Sequence, residues 1–160
     1  MPMAVRVQTA DFDVGRELAA LRAGDARVGA VVTFVGTVRD VNDDARVTQM
    51  TLEHYPGMTE QALEGIVVKA KGRFDIYDAL VIHRVGPLAP TDQIVLVAVT
   101  SAHRGEAFDA CRFIIDYLKT EAPFWKKEET PEGARWVDAR TSDDEAVARW
   151  TATESTRSKA

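Results

Sequence analysis

The chain holds a single cysteine, Cys111, among 160 residues. One thiol cannot close a disulfide within the chain or build a multi-cysteine zinc site. Positive charge is also scarce. Twenty Lys and Arg against 25 Asp and Glu give a formal charge of −5, the wrong sign for a general nucleic-acid binder, whose affinity comes from neutralising phosphates. Long apolar runs are missing. The two longest uncharged stretches, Val28–Val38 and Ile94–Ala102, have strand length and fall short of a membrane span. The opening Met1-Pro2-Met3-Ala4-Val5-Arg6 lacks the basic-then-apolar order of a signal peptide. His54 and His83 stand apart, without metal-ligand spacing to Cys, Asp or Glu. There is no phosphate loop, dinucleotide fingerprint or zinc-protease helix. These absences predict a cytoplasmic protein in a reducing compartment, with no resident metal or cofactor and no nucleic-acid or membrane partner.

What is present is enough apolar sequence, 46% of the chain, to bury a sizeable core. A strand is expected around Ala4–Gln8, then a helix over Asp13–Arg22 with Val14, Leu18 and Leu21 in one stripe. Val28–Val38 is β-branched on both faces and reads as a central strand covered on both sides. Arg39–Arg46, with three Asp and an Asn, reads as an exposed loop. Val47–Tyr55 alternates as a strand. Pro56-Gly57 stops it before a helix over Met58–Arg73 with Ala62, Leu63, Ile66, Val67 and Ala70 inward. Two strands follow at Asp78–Val85 and Gln93–Ser101, then a helix over Arg104–Glu121 that ends before Pro123. Thr130-Pro131-Glu132-Gly133 suits a type I turn joining Phe124–Glu129 to Ala134–Arg140 as a hairpin. Ser142-Asp143-Asp144-Glu145 has capping-box spacing for a short last helix through Trp150. Hairpin-length connections imply an α+β fold, a mainly antiparallel sheet packed with helices. Residues 1–150 read as one domain and Thr151–Ala160, small and polar, as a flexible tail.

Basic residues carry the functional signal. In the long helix Ala107, Phe108, Cys111, Ile114, Ile115 and Leu118 define the expected buried stripe, and Lys119 points within about 40° of Ile115 and Phe108. Desolvation there would make its amine a base or nucleophile; the other reading is a stem that packs while the ammonium snorkels out. His103-Arg104 opens the same helix, where free amides and a guanidinium suit an anion. In Phe124–Glu129, alternation puts Phe124, Lys126 and Glu128 on one face and Trp125, Lys127 and Glu129 on the other. Lys126 is therefore the better pocket residue, against an edge strand bearing protective charge. Arg39, after Gly36-Thr37-Val38, suits a ligand-gripping rim or a solvated loop, and Arg140 is equally open. Cys111, mid-stripe, reads as a small core residue rather than a nucleophile.

Taken in order, several segments resemble the large, catalytic subunit of molybdopterin synthase. They are Phe34-Val35-Gly36-Thr37-Val38-Arg39, Leu52-Glu53-His54-Tyr55-Pro56-Gly57-Met58, His83-Arg84-Val85-Gly86, Ser101-Ala102-His103-Arg104, Phe113 through Thr120, and Pro123-Phe124-Trp125-Lys126-Lys127-Glu128. The resemblance implies an α/β hammerhead fold with a small β-rich subdomain. It also implies a sulfurtransferase that converts cyclic pyranopterin monophosphate into molybdopterin by installing two dithiolene sulfurs. The sulfur would arrive as a thiocarboxylate on the C-terminal Gly-Gly of a small ubiquitin-like partner, in a heterotetramer built on a homodimer of large subunits. On this resemblance Lys119 and Lys126 match catalytic lysines. Arg39, His103 and Arg104 match groups that contact the pterin and phosphate. Thr37, Val38, Lys127 and Glu128 line the pocket, Arg140 enters it across the dimer, and Phe34 lies near the inserted tail. Such a partner carries its own nucleophilic sulfur, so the enzyme needs no cysteine of its own. A non-catalytic module for a ubiquitin-like tail and an unrelated phosphate-ester enzyme are the rival readings.

Overall fold

A computed structural model of the chain describes residues 4–42, 45–137 and 144–151. The helices begin where the sequence supplies a cap or a break. The Asp13 carboxylate accepts from the Arg16 N–H at 3.0 Å and opens α1 (Val14–Arg22). The chain enters α2 (Met58–Arg73) through Gly57 at φ 86°, a conformation that glycine adopts without the steric cost other residues meet. Glu60 reaches back to accept from the Gly57 N–H. The third helix, α3 (Arg104–Glu121), stops before Pro123. A last helix, α4, covers residues 144–151; its expected cap, Ser142, and the tail after Thr151 lie outside the described residues.

Among the described residues ten strands run in chain order as β1 (Val5–Gln8), β2 (Ala30–Thr37), β3 (Val41–Asn42), β4 (Ala45–Arg46), β5 (Gln49–His54), β6 (Asp78–Arg84), β7 (Gly86–Leu88), β8 (Gln93–Ser101), β9 (Phe124–Thr130) and β10 (Gly133–Val137). The larger sheet has the order β1-β6-β8-β2, the second β10-β9-β5-β7, and β3 and β4 form a separate ribbon. Every pairing among these described strands is antiparallel except β1 with β6. The α+β expectation therefore holds, and so does the hairpin of β9 and β10, with Thr130 opposite Gly133.

The larger sheet is covered on both faces. Helices α2 and α3 bury Leu63, Ile66, Phe113 and Ile114 against Val5, Val81, Val97 and Val99. On the opposite face α1 packs Val14, Leu18 and Leu21 around Phe12, Leu80, Ile82 and Leu96. A third cluster, Val38, Met50, Leu52 and Leu88 with Ile94, lies under the second sheet. Trp150 of α4 closes the first cluster edge-on to Phe74 and Phe113, and its indole N–H donates to Asp116 at 2.7 Å. No helix among the described residues is long and apolar enough to cross a membrane.

Three local expectations are corrected. Strand β2 lies at the sheet's edge, not its centre, and Thr33 and Phe34 are exposed. Its β-branched residues report cover by helices, which an edge strand over α3 and α1 also receives; the central strands are β6 and β8. The segment Arg39–Arg46 is not simply an exposed loop, since it folds back as the β3–β4 ribbon and buries Asn42. In α3, Phe108 is 59% exposed, while Ala110, Phe113 and Tyr117 join Ala107, Cys111, Ile114 and Leu118 in the buried face. That face is centred roughly 130° away from Phe108 around the helix.

Candidate active site

The two sheets meet beneath the C-terminal end of α3, where β6 finishes and β9 begins. His83 of β6 stacks on Phe124 of β9 there, ring centroids 3.8 Å apart and planes 19° from parallel. Around this joint opens a cavity of about 370 Å³. Among the described residues its walls come from eight places in the sequence, His83 of β6 and Ile94 of β8 among them. Thr37, Val38 and Arg39 descend from β2; Val41 and Asn42 come from β3; Met50 and Leu52 from β5; Leu118, Lys119 and Ala122 from the end of α3; Phe124, Lys126 and Glu128 from β9; Val137 from β10.

Local chemistry explains how β2 reaches this cavity. The register with β8 slips between Gly36 and Thr37, so Thr37 faces Gln93, and such a bulge re-aims the residues after it. Glycine is required at the slip: a Cβ on Gly36 would sit 2.9 Å from Val95 Cγ1. On β9 the two-residue period holds. Lys126 and Glu128 face the cavity, whereas Lys127 lies on the opposite face with its ammonium 5.9 Å from the centre of the Trp136 ring. Lys127 is thus corrected from pocket lining to the outer face of the second sheet.

Lys119 reaches the cavity by a different route from the expected one. It shares a line along α3 with exposed Phe108, not with the buried stripe, and is itself solvent-exposed where it borders the cavity. Of the two readings the sequence leaves open, this exposure fits the stem that packs while its head reaches out. Among the described residues, Arg39, Lys119 and Lys126 give this wall three cations against the one carboxylate of Glu128, in a chain whose formal charge is −5. The site is suited to an anionic ligand.

Glu128 is 3% exposed and heavily compensated. The Asn42 Nδ2 donates to it, 3.0 Å from each carboxylate oxygen; Arg135 Nη2 donates to Oε1 at 3.2 Å; Lys126 Nζ stands 3.8 Å from Oε2. His83, which the sequence reading set aside, is a cavity residue. Burial pushes its imidazole down to about 4, against the hydrogen bond at the Arg84 carbonyl, with the charges of Lys119 and His54 adding to the depression. It is neutral at pH 7. Its Nδ1 lies 2.8 Å from the Arg84 carbonyl oxygen, an acceptor, so Nδ1 carries the proton and Nε2 keeps its lone pair. The only hint in the sequence was its place on the same strand face as Ala79 and Val81. Cys111 is buried and its thiol is pushed up to about 11 by that burial, which fits its reading as a core residue.

The described fold thus gathers Thr37, Val38, Arg39, Lys119, Lys126 and Glu128. It does not bring Phe34, His103, Arg104 or Lys127 to the cavity within one protomer, and Arg140 lies outside the described residues. His103 and Arg104 are exposed at the other end of α3, about 22 Å from Lys119 at 1.5 Å per residue. His103 makes no side-chain cap, leaving the first-turn amides without one.

The geometry can be set beside known proteins. The model of the MoaE protein family matches residues 7–121. The molybdopterin synthase catalytic subunit of Ralstonia nicotianae is 68% identical over 146 residues, covering 91% of this chain and 83% of that one. The protein of the same name from Pseudomonas aeruginosa is 57% identical over 148 residues, 92% and 99% of the two chains. Among solved structures, a molybdopterin biosynthesis MoaE protein from Burkholderia ambifaria superposes with a TM-score of 0.80 at 58% identity, over 92% of this chain and 97% of that one. A molybdopterin synthase from Staphylococcus aureus gives 0.79 at 28% identity, over 86% and 99%. A match of this extent, in fold as in sequence, leaves one assignment: the chain belongs to the MoaE protein family.

Proposed function

We propose that this chain is the catalytic subunit of a molybdopterin synthase, a cytoplasmic sulfurtransferase of molybdenum-cofactor biosynthesis acting on cyclic pyranopterin monophosphate. The observation that carries the reading is the convergence of Arg39, Lys119 and Lys126 on one cavity in a member of this family. A small ubiquitin-like subunit passes its C-terminal Gly-Gly thiocarboxylate toward the cavity, near Phe34. The thiocarboxylate sulfur attacks the pterin side-chain carbon, the carbon–oxygen bond it replaces breaks with its electron pair leaving on that oxygen, and water then cleaves the acyl–sulfur bond, leaving the sulfur on the pterin and a carboxylate on the partner. Arg39 grips the phosphate, helped by His103, Arg104 and Arg140 of a neighbouring copy in the homodimer. Lys119 moves the proton or holds the developing anion, and Lys126 adds electrostatic stabilisation. Thr37, Val38 and Glu128 complete the wall. The spent partner leaves, and a second charged copy delivers the other sulfur. The sulfur comes in on the partner, so the inert Cys111 is no obstacle.

A single-turnover reaction of purified chain with thiocarboxylated partner and pterin substrate tests this. The unaltered chain is expected to form product. Lys119→Ala is expected to fold, bind the partner and lose product formation by roughly a hundredfold or more. Near-normal turnover by that variant removes Lys119 from the mechanism. Partner binding without product from the unaltered chain would mark a non-catalytic module, and hydrolysis of phosphate esters without any partner would mark a different enzyme.

A further inference from the structure

The β3–β4 ribbon supplies one residue to the cavity wall whose chemistry is not explained by substrate contact alone. Asn42 is 4% exposed, and it sits in a segment whose other polar side chains at positions 40, 43 and 44 are all aspartates. The residue turned onto Glu128 is the amide. Only a donor can occupy that place, because a carboxylate there would face a carboxylate.

The bonds around it link Asn42, Arg135 and Glu128. The Asn42 Nδ2 lies 3.0 Å from both oxygens of Glu128. Arg135, the register partner of Glu128 across the β9–β10 hairpin, uses Nη2 twice, donating to the backbone carbonyl of Asn42 at 2.8 Å and to Glu128 Oε1 at 3.2 Å. Glu128 in turn offers Oε2 to Lys126 Nζ at 3.8 Å. A carboxylate withdrawn from water is costly to bury unless its oxygens are bonded, so Asn42 and Arg135 decide where Glu128 can sit. The position of Glu128 then restrains the flexible lysine stem two residues before it.

We infer that Asn42 and Arg135 are positioning residues that clamp Glu128 so that it holds the Lys126 ammonium over the cavity. The ribbon is thus a working part of the site, reaching it from 86 residues away in sequence. This inference rests on the reading of the cavity as the place of sulfur transfer.

The test is a double-mutant cycle on the single-turnover rate with thiocarboxylated partner and pterin substrate. Asn42→Ala is expected to lower the rate at saturating substrate by roughly ten- to a hundredfold, as for a catalytic group displaced by about an ångström. Partner binding and the substrate concentration needed for half-saturation should stay within about twofold. Added to Lys126→Ala, Asn42→Ala should lower the rate no further, since it acts through that lysine. If the two losses multiply, Asn42 serves only the fold and the clamp is wrong. If Lys126→Ala is itself near normal, the cavity reading is wrong and the clamp falls with it. Should Asn42→Ala fail to fold, Arg135→Lys, which keeps the charge but loses the fork, enters the same cycle with the same two outcomes.

Discussion

At the scale of a single residue, His83 shows how burial sets chemistry. Its imidazole titrates at about 4 in the folded chain and at the ordinary 6.5 when exposed. Between those values the unfolded chain takes up a proton that the folded chain refuses, so stability falls as pH drops from about 6.5 to about 4 and the loss levels off below that. The amount is on the order of 3 kcal/mol, at 1.36 kcal/mol per unit. Carboxylates titrate in the same range, so the measurement is a comparison. Urea unfolding of the unaltered chain and of His83→Phe, which keeps a ring against Phe124, should give different slopes of stability against pH over this window. The variant is expected to have the shallower one. Equal slopes would mean that His83 takes up its proton at the same pH in the folded and unfolded chain, so that burial does not depress it.

At the scale of elements, the bulge in β2 is the joint that delivers Arg39 to the cavity. Gly36→Ala places a methyl 2.9 Å from Val95 Cγ1 and 3.4 Å from the Phe34 ring, and overpacking of this kind costs about 1–3 kcal/mol. Chemical denaturation of Gly36→Ala, Val95→Ala and the double variant checks it. The second change is expected to recover part of the loss from the first, which appears as a non-additive pair. The elements also show how far the sequence was legible. Strand β9 could be read to the side chain because period two forces Lys126 and Glu128 to one face and Lys127 to the other. The start of α2 at Gly57 and the end of α3 before Pro123 could be read because the backbone preferences of glycine and proline are local. Nothing local distinguishes an edge strand from a central one when helices cover both, so β2 was misread. Phe108 was misread because an apolar residue at helical spacing implies a partner that only the tertiary fold can deny. Asn42 and His83 were missed for the same cause. Their meaning comes from Glu128, 86 residues on, and Phe124, 41 residues on, and no spacing rule reaches across such distances.

At the scale of the whole molecule, α3 is the decisive distance. It carries Lys119 to the cavity at one end and exposes His103 and Arg104, with uncapped amides, at the other. A rigid helix of this length cannot fold both ends onto one ligand, since its termini stay about 25 Å apart. If both ends act on the same anionic substrate, they act from different copies. A two-fold dimer then holds two equivalent sites, each made of one copy's Lys119 end and the other's Arg104 end. Lys119→Ala and Arg104→Ala should each be close to inactive in single turnover at low substrate. Exchanged with each other, they form mixed dimers in which one site carries both altered residues and the other carries neither. With random exchange, half the dimers are mixed and half of their sites are intact, so activity should return to about one quarter of the unaltered level. A mixture no more active than its two parents, with exchange verified by differently tagged copies, would mean that Lys119 and Arg104 do not complete one site across the dimer.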